Sequence, residues 1–399
     1  MKKTDKTIEL GIDRLQKEVE LQKKCLGNIA LLAHNPSVDS NLKNSIDLLI
    51  ALFGKKLVKI FGPQHGLVTD VQDNMIETED FIHPHYQIPV LSLYGDVRKP
   101  TEKMLEGIDT LIVDLQDVGT RVYTYISTLG LLMEACEKKN IKIIILDRPN
   151  PVGGDIIEGP VREDHLFSFV GHFPIPQRHG MTMGEIATFA KKYYYPSCEL
   201  EVITMKGWQR EDTILDIKNH WINPSPNLST PESCFSFVGT VLFEGTNISE
   251  GRGTTRALEQ VGHPKINPFE FLEYANEKLK MTNLSGFSLR PVYFFPMFQK
   301  HTQSSVGGVF IHTTDSKTFR PWSVGQILCQ SFYEILGKDF KWNDKPYEYE
   351  TEKLAIDLIN GTEQVRHWVE NGGKYNDLLK IEQLGMKTFL EKREESLLY

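Results

Sequence analysis

The loop of residues 244–255, with the sequence EGTNISEGRGTT, gathers the side chains of this chain that are best suited to chemistry. Glu244 and Glu250 are candidate acids, bases or nucleophiles, and Asn247 and Arg252 are candidate ligand-binding residues. Only one residue of the loop is apolar, so the loop has no period that would bury one face of a helix or strand. A solvated surface turn is the alternative interpretation, because Gly, Asn, Ser and Thr are common in turns.

Three other segments carry polar groups in places where a ligand is expected: GPQHG at 62–66, DLQDVGTR at 114–121 and RHG at 178–180. Their candidate catalytic residues are His65, Asp114 and Asp117, and their candidate ligand-binding residues are Gln64, Arg121, Arg178 and His179. Asp117 has a structural alternative, since an aspartate just before a helix often caps its N-terminus. Glu185 is set aside because it fits a capping box with Thr182, three residues earlier.

The first half of the chain alternates short apolar runs with amphipathic segments, which predicts β-α-β units and a mainly parallel sheet. The predicted strands are 29–34, 57–62, 88–95, 109–117, 141–149, 199–205 and, in the second half, 307–314, and the predicted helices include 42–53, 123–139 and 268–280. Polar clusters follow most of these strands, so we expect them to meet in one cleft. A Pro- and Ser-rich segment at 220–233 predicts an α/β domain over 1–227 and a smaller mixed α+β domain over 228–399, with the active-site cleft between them.

Charge and composition exclude several classes of function. A net charge of −8 argues against nucleic acid or an anionic membrane as the partner. No apolar run follows the N-terminal lysines or reaches about 18 residues, so we predict no signal sequence and no membrane span, and expect a cytoplasmic protein. The five scattered cysteines form no CxxC pair, and HExxH, GxGxxG and GxxxxGK[ST] do not occur, so we predict neither a metal site nor a cofactor.

Several rare strings occur in order along the chain, among them DLQDVGTRVYTYIS, LDRPNPVGG, QRHGMTMGEIA and EGTNISEGRGTT. In these strings the chain resembles the exo-β-N-acetylmuramidases of glycoside hydrolase family 171, from about residue 29 to the C-terminus. The resemblance implies a Rossmann-like N-terminal domain, a smaller C-terminal domain and an active site between them. It also implies that the enzyme releases N-acetylmuramic acid from the non-reducing end of peptidoglycan fragments, with a sugar or muropeptide as its small-molecule partner.

Glycosidic cleavage ordinarily needs two carboxyl groups. Under the resemblance, Glu244 and Glu250 are one candidate set, and Asp114 and Asp117 are the competing pair. The acetamido group of the substrate is an alternative nucleophile. An arginine is expected to bind the lactyl carboxylate, with Arg178 and Arg252 as the preferred candidates.

One position departs from the pattern of the family. Many members read GPEHG where this chain reads GPQHG, and Gln64 cannot ionise. Either another carboxylate such as Glu77 or Glu79 replaces the missing group, or the protein binds an amino sugar without cleaving it. A metal-dependent hydrolase is a further alternative, and the oligomeric state stays open.

Overall fold

The computed structural model describes residues 6–72 and 75–399, and its largest element is a seven-stranded sheet. The strands are β1 (Ile29–Ala33), β2 (Leu57–Gly62), β3 (Phe81–Ile82), β4 (Pro89–Ser92), β5 (Thr110–Asp114), β6 (Lys142–Leu146) and β7 (Leu200–Ile203). They lie in the order β3-β4-β2-β1-β5-β6-β7, and every neighbouring pair except β3 with β4 is parallel. Apart from the short edge strand β3, this is the 3-2-1-4-5-6 order of Rossmann sheets, which confirms the predicted α/β fold.

Helices cover the two faces of this sheet, and the strands show why. Alternate residues of β1 enter different apolar clusters: Ala30 and Leu32 join one, while Ile29 and Leu31 join the other. A strand buried on both faces reads as a continuous apolar run, as β1, β5 and β6 do. The helices of this half are α1 (Gly11–Lys17), α2 (Val19–Gln22), α3 (Ser45–Phe53), α4 (Glu102–Leu105), α5 (Tyr125–Glu137) and α6 (Met183–Tyr193).

The C-terminal half is built around a small antiparallel sheet of order β8-β10-β9. Its elements are α7 (Ser233–Thr240), β8 (Gln260–His263), α8 (Pro268–Lys280), β9 (Phe287–Phe294), β10 (Val306–Thr313), α9 (Pro321–Leu336), α10 (Ala355–Asn360), α11 (Gln364–Glu370), α12 (Tyr375–Glu382) and α13 (Met386–Glu394). Residues of α7, α8 and α9 share one continuous core with α5 and α6. The boundary between 227 and 228 therefore stays a prediction, since the core runs across it.

Strands β3, β8 and β9 escaped the sequence-based prediction. β3 has only two residues, which is too short for a period to appear. In β9, buried and exposed residues alternate, but Pro291 lies within the run, and proline argues against a strand that is paired on both sides.

The predicted capping box is confirmed, because the Thr182 hydroxyl accepts from the Glu185 N–H and the Glu185 carboxylate accepts from the Thr182 N–H.

The crevice between β1 and β5, where the strand order reverses, is filled by protein side chains. Arg148 donates to Asp114 through Nε at 2.6 Å and through Nη2 at 2.9 Å, and the Ser45 hydroxyl also donates to Asp114. Ser37 Oγ donates to the Asp114 carbonyl at 2.5 Å. The space left nearby is about 30 Å³, close to the room for a single water molecule. Ligands usually bind Rossmann sheets at this point, but here an ion pair occupies it.

We predict that Asp114→Asn lowers the free energy of unfolding by about 3–5 kcal/mol, because Arg148 would keep a buried charge without its counter-ion. Urea denaturation measures this change. The double variant Asp114→Asn with Arg148→Met serves as the control, since removing both charges is expected to restore part of the stability. A single variant as stable as the parent chain would contradict the structural role of Asp114.

Candidate active site

The predicted loop residues lie in the wall of a cavity of about 460 Å³. Three C-terminal segments (244–252, 299–301 and 341–347) form most of this wall, and Met75 from the loop after β2 completes it. Glu244, Asn247, Glu250 and Arg252 all line the cavity. The loop therefore surrounds a cavity and is not a solvated turn.

Glycines and backbone hydrogen bonds shape this loop. Gly253 has a φ of 82°, and a Cβ there would lie 2.6 Å from the carbonyl oxygen of Phe298, so only glycine fits without a shift. Ser249 exchanges two backbone hydrogen bonds with Gly262 of β8, at 2.8 and 2.9 Å. These contacts fix the backbone on both sides of Glu250.

Arg252 lies between two carboxylates at the cavity wall. Its Nη2 donates to Glu244 at 2.5 Å, and its Nε lies 3.2 Å from Glu250. The Tyr347 hydroxyl donates to the other Glu244 oxygen at 2.7 Å. Because its guanidinium is already paired, Arg252 neutralises the site and is poorly placed to bind a substrate carboxylate as well.

Lys300 holds Glu250 in its ionised form. Burial raises the pKa of Glu250, but the charges of Lys300 and Arg252 outweigh this effect and leave the pKa below its usual value. Lys300 Nζ donates to Glu250 at 2.8 Å and to the carbonyls of Phe243 and Ile248 at 2.7 and 3.1 Å. All three protons of Lys300 are thus engaged around Glu250.

A second polar network lies at the carboxyl end of β2 and β4. Gln64 Nε2 donates to Glu348 Oε1 at 3.1 Å, and the Tyr94 hydroxyl donates to Glu348 Oε2 at 2.7 Å. The Thr124 hydroxyl donates to Gln64 Oε1, so both ends of the amide are hydrogen-bonded. Glu348 is only 5% exposed, and burial raises its pKa against the hydrogen bonds from Tyr94 and Gln64.

His65 is neutral and points one ring nitrogen at the backbone. Its Nδ1 lies 2.8 Å from the Val71 carbonyl, which can only accept, so Nδ1 carries the proton. Burial lowers the pKa of His65 to about 4, and the charge of Arg252 adds to this effect. The residue has a φ of 69°, in the left-handed region between the strand end and Gly66.

Comparison with known proteins gives the family. A model described as "Exo-beta-N-acetylmuramidase NamZ, N-terminal" matches residues 29–232, and its C-terminal counterpart matches residues 235–399. The chain belongs to the NamZ exo-β-N-acetylmuramidase family. It is 37% identical to the peptidoglycan β-N-acetylmuramidase NamZ of Bacillus subtilis strain 168, over 98% of this chain and 91% of that protein.

Two solved structures of DUF1343 family proteins from Bacteroides fragilis NCTC 9343 share the fold. One has a TM-score of 0.85 at 30% identity, and the other has a TM-score of 0.73 at 27% identity. Each comparison covers 98% of this chain and 99% of the other chain. The shared fold therefore extends over nearly the whole of this chain.

Asp114, Arg121 and Arg178 have structural partners and do not line the cavity of this NamZ-family chain. Arg121 is fully buried and donates to the carbonyls of Val170 and Ile359 at 3.0 and 2.6 Å. Arg178, also fully buried, donates to Glu158 at 2.9 Å. The guanidinium groups of Arg121 and Arg178 are thus hydrogen-bonded to backbone carbonyls and to a buried carboxylate, and are not available to a substrate.

Asp117 and His179 lie together but also outside the cavity lining. Asp117 Oδ2 accepts from the Gly119 N–H at 2.7 Å and lies 3.6 Å from His179 Nε2. Helix α5 begins at Tyr125 with Thr124 as its N-cap, so Asp117 does not cap it. Arg121 donates to carbonyls rather than to Asp117.

Asn247 lines the cavity, but its polar atoms hold the neighbouring segment in place. Its side chain donates to the Asp339 carbonyl at 2.8 Å and accepts from the Lys341 N–H at 2.9 Å. Its carbonyl lies 2.7 Å from His301 Nε2. Asn247 thus positions residues 339–341 at the cavity wall.

Sequence reasoning missed Lys300, Tyr347 and Glu348. Their segments, FQKHTQ at 298–303 and KPYEYE at 345–350, lack a glycine-flanked cluster and follow no strand of the parallel sheet. A weak signal exists in the second segment, where Tyr and Glu alternate directly after a proline. Glu77 and Glu79, considered as substitutes for a carboxylate at position 64, are exposed, and Glu348 is the carboxyl group that contacts Gln64.

Residues 6–72 and 75–399 contain no group of three or more His, Cys, Asp or Glu side chains arranged to hold a metal ion. Within the same residues, none of the helices is both long and apolar enough to span a membrane.

We predict that Lys300→Met raises the pKa of Glu250, because it removes the cation that most strongly favours the ionised form. If ionised Glu250 is required for turnover, the acid limb of the pH profile of kcat/KM moves to higher pH. Lys338→Met, which alters an exposed lysine of the same half, is the control. If the acid limb of Lys300→Met stays in place, ionisation of Glu250 does not control kcat/KM.

Proposed function

We propose that this protein is an exo-acting β-N-acetylmuramidase that releases N-acetylmuramic acid from the non-reducing end of peptidoglycan fragments. Membership of the NamZ family supports the activity. The observation that carries the assignment of the site is the cavity of about 460 Å³ whose wall holds the ionised Glu250. That volume lies within the range of about 300–1,000 Å³ that is typical of small-molecule sites.

Glu250 is the proposed ionised carboxylate of the reaction. The transition state of glycosidic cleavage resembles an oxocarbenium ion, so a fixed negative charge beside C1 stabilises it. Lys300 and Arg252 keep Glu250 ionised, and the backbone contacts of Ser249 keep it in place. Glu244 is tied to Arg252 and Tyr347, and we assign it the role of positioning both.

The lactyl carboxylate needs a cation that is not already neutralised. Arg178 is enclosed beside Glu158, and Arg252 is shared by two carboxylates. Lys341 and Lys345 line the same cavity and are exposed, and neither has a carboxylate within salt-bridge distance among residues 6–72 and 75–399. We therefore propose that these two lysines bind the lactyl carboxylate, or a peptide carboxylate attached to it.

The free cysteines bear on where the enzyme acts. Cys25, Cys136, Cys198, Cys234 and Cys329 are all buried and unpaired. Buried free thiols fit a reducing compartment, where disulfides rarely persist. We propose that the enzyme acts in the cytoplasm on imported cell-wall fragments, as part of cell-wall recycling.

The first experiment measures hydrolysis of a chromogenic N-acetylmuramide, with the matching N-acetylglucosaminide as the reference substrate. We expect release from the muramide, and a loss of at least about 100-fold in kcat for Glu250→Gln. The melting temperature of that variant should change little, because Arg252 keeps Glu244 and Lys300 keeps two carbonyl acceptors. Binding of N-acetylmuramic acid without release would favour a non-catalytic binding protein, and loss of activity with a chelator would favour a metal-dependent hydrolase.

We expect the double variant Lys341→Met with Lys345→Met to have a lower kcat/KM for the muramide by about fivefold, the effect of an exposed ion pair worth about 1 kcal/mol. The change should appear in KM, and the glucosaminide, which lacks the carboxylate, should be unaffected. Lys280→Met, on the exposed face of α8, is the matched control for a lost surface charge. Equal effects on both substrates would exclude a role in binding the lactyl group.

A further inference from the structure

We infer that Glu348 is the proton donor of the reaction and that Gln64 and Tyr94 hold it in position. This inference rests on the proposed function, since it names the group that protonates the leaving oxygen in glycosidic cleavage. The geometry that points to it is a buried carboxyl group directly after Tyr347, a residue of the cavity wall, held by two neutral hydrogen-bonding side chains.

Glu348 joins the two halves of the molecule directly behind a residue of the cavity wall. The residue before it, Tyr347, lines the cavity, and Glu348 itself reaches across to Gln64 and Tyr94 at the ends of β2 and β4. Met75, which also lines the cavity, donates its backbone N–H to the Tyr94 hydroxyl at 3.2 Å. Glu348 is thus connected to the cavity wall in two ways, through Tyr347 along the chain and through Tyr94 to Met75.

The hydrogen-bond partners determine which oxygen carries the proton. The Gln64 amide N–H can only donate, so Oε1 of Glu348 is an acceptor in either protonation state. The proton of the neutral acid must therefore lie on Oε2, beside the Tyr94 hydroxyl, which can accept from the acid or donate to the carboxylate. Tyr94 thus stabilises both states without opposing proton release.

Arg98 fixes the ring of Tyr94. Its guanidinium lies 4.1 Å from the centroid of Tyr94 and 4.2 Å from the centroid of Tyr349. A cation stacked between two aromatic rings restrains both of them. The charged and titratable groups that face Glu348 from the surrounding elements are Tyr94, Arg98, Glu244, Tyr347 and Tyr349.

The environment of Glu348 contrasts with that of Glu250. Burial raises the pKa of Glu348, and the nearby charge of Glu244 adds to this effect, while Tyr94, Gln64 and Arg98 oppose it only in part. Two carboxyl groups whose surroundings move their pKa values in opposite directions are the usual arrangement for an acid and an ionised partner. The pKa of Glu348 supports the assignment that the geometry makes.

In the cleavage step, the proton on Glu348 Oε2 passes to the glycosidic oxygen, and the electron pair of the C1–O bond goes to that oxygen as the bond breaks. Water supplies the hydroxyl group that ends on C1, and the proton lost by that water restores Glu348. The products are N-acetylmuramic acid and the shortened fragment, and no oxidant, reductant or metal is consumed.

The test compares Glu348→Gln with the parent enzyme on two muramides that differ in their leaving group. A natural disaccharide needs its leaving oxygen protonated, whereas a dinitrophenyl muramide does not. We expect the variant to lose about 10²- to 10⁴-fold in kcat/KM on the disaccharide, and to keep the rate on the dinitrophenyl substrate within about tenfold. The alkaline limb of the pH profile should disappear with it.

Glutamine fits the site, because its Oε1 still accepts from Gln64 and its amide N–H can donate to Tyr94, so folding should be retained. The matched control is Glu352→Gln, an exposed residue of the same segment, which should leave both rates unchanged. A second readout follows from the raised pKa of Glu348. The protonated carboxyl group stabilises the fold at pH values below its pKa in the unfolded chain, and this stabilisation is lost as the pH rises through its pKa in the folded protein. The melting temperature of Glu348→Gln, relative to that of the parent enzyme, should therefore increase as the pH rises.

The outcomes separate the two proposals. If the parent enzyme cleaves neither muramide, the proposed function fails. If it cleaves both, and Glu348→Gln cleaves the disaccharide at the parental rate, only the proton-donor assignment fails. Equal losses on the two substrates would also overturn the assignment, because they would mean a structural role for Glu348. If Glu348→Gln does not fold, Tyr94→Phe replaces it, with the expected result of a shifted alkaline limb and a larger loss on the disaccharide than on the dinitrophenyl substrate.

Discussion

Two buried carboxylates that are both ionised need a cation between them, and the pairing of Arg252 with Glu244 and Glu250 meets this constraint. Moving one ionised carboxylate out of water costs several kcal/mol even after the protein relaxes, and two like charges add repulsion. Arg252 contacts both groups, while Lys300 and Tyr347 complete their hydrogen bonds. The loop needs glycine on either side of this arginine because the backbone packs closely against 297–298 and β8. Charge compensation therefore determines both the conformation of the loop and the state of Glu250.

The same burial has opposite results at Glu250 and Glu348, and the difference lies in their partners. Full positive charges surround Glu250, so the ionised form is favoured despite the loss of water. Glu348 has a neutral amide and a neutral hydroxyl as partners, which hydrogen-bond the carboxylate too weakly to offset desolvation. Arg98 is the cation near Glu348, but it is stacked between two tyrosine rings rather than paired with the carboxyl group. The cavity wall thus provides an environment for an anion at Glu250, and the buried network next to Tyr347 provides one for a neutral acid at Glu348.

Local patterns predicted much of this molecule, and contacts between distant segments account for what they missed. The apolar runs of β1, β5 and β6 and the helix 268–280 were readable because their burial follows a short period. Glu244, Glu250 and Arg252 were identifiable as a set, because a polar, glycine-rich loop concentrates them within nine residues. Asp114 and Arg178 looked equally suitable, since a strand end or a helix start is a common place for a ligand. Their partners, Arg148 and Glu158, lie 34 and 20 residues away, and only the fold shows that these charges are already compensated. Glu348 lies 284 residues from Gln64, and no local period connects them.

The contact between Gln64 and Glu348 explains how a glutamine at position 64 is compatible with glycosidase chemistry. A glutamate there would face the carboxyl group of Glu348, and the two would share one proton, since like charges in contact cannot both ionise. Gln64 instead donates to Glu348 and cannot take its proton, so the proton remains on a single group. The requirement for an acid at this wall is then met by the segment 341–350, which also supplies Tyr347 to Glu244 and two lysines to the cavity. With Glu348 as the proposed acid, a glutamine at the end of β2 is compatible with catalysis, because the acid then belongs to the C-terminal segment and the strand end only orients it.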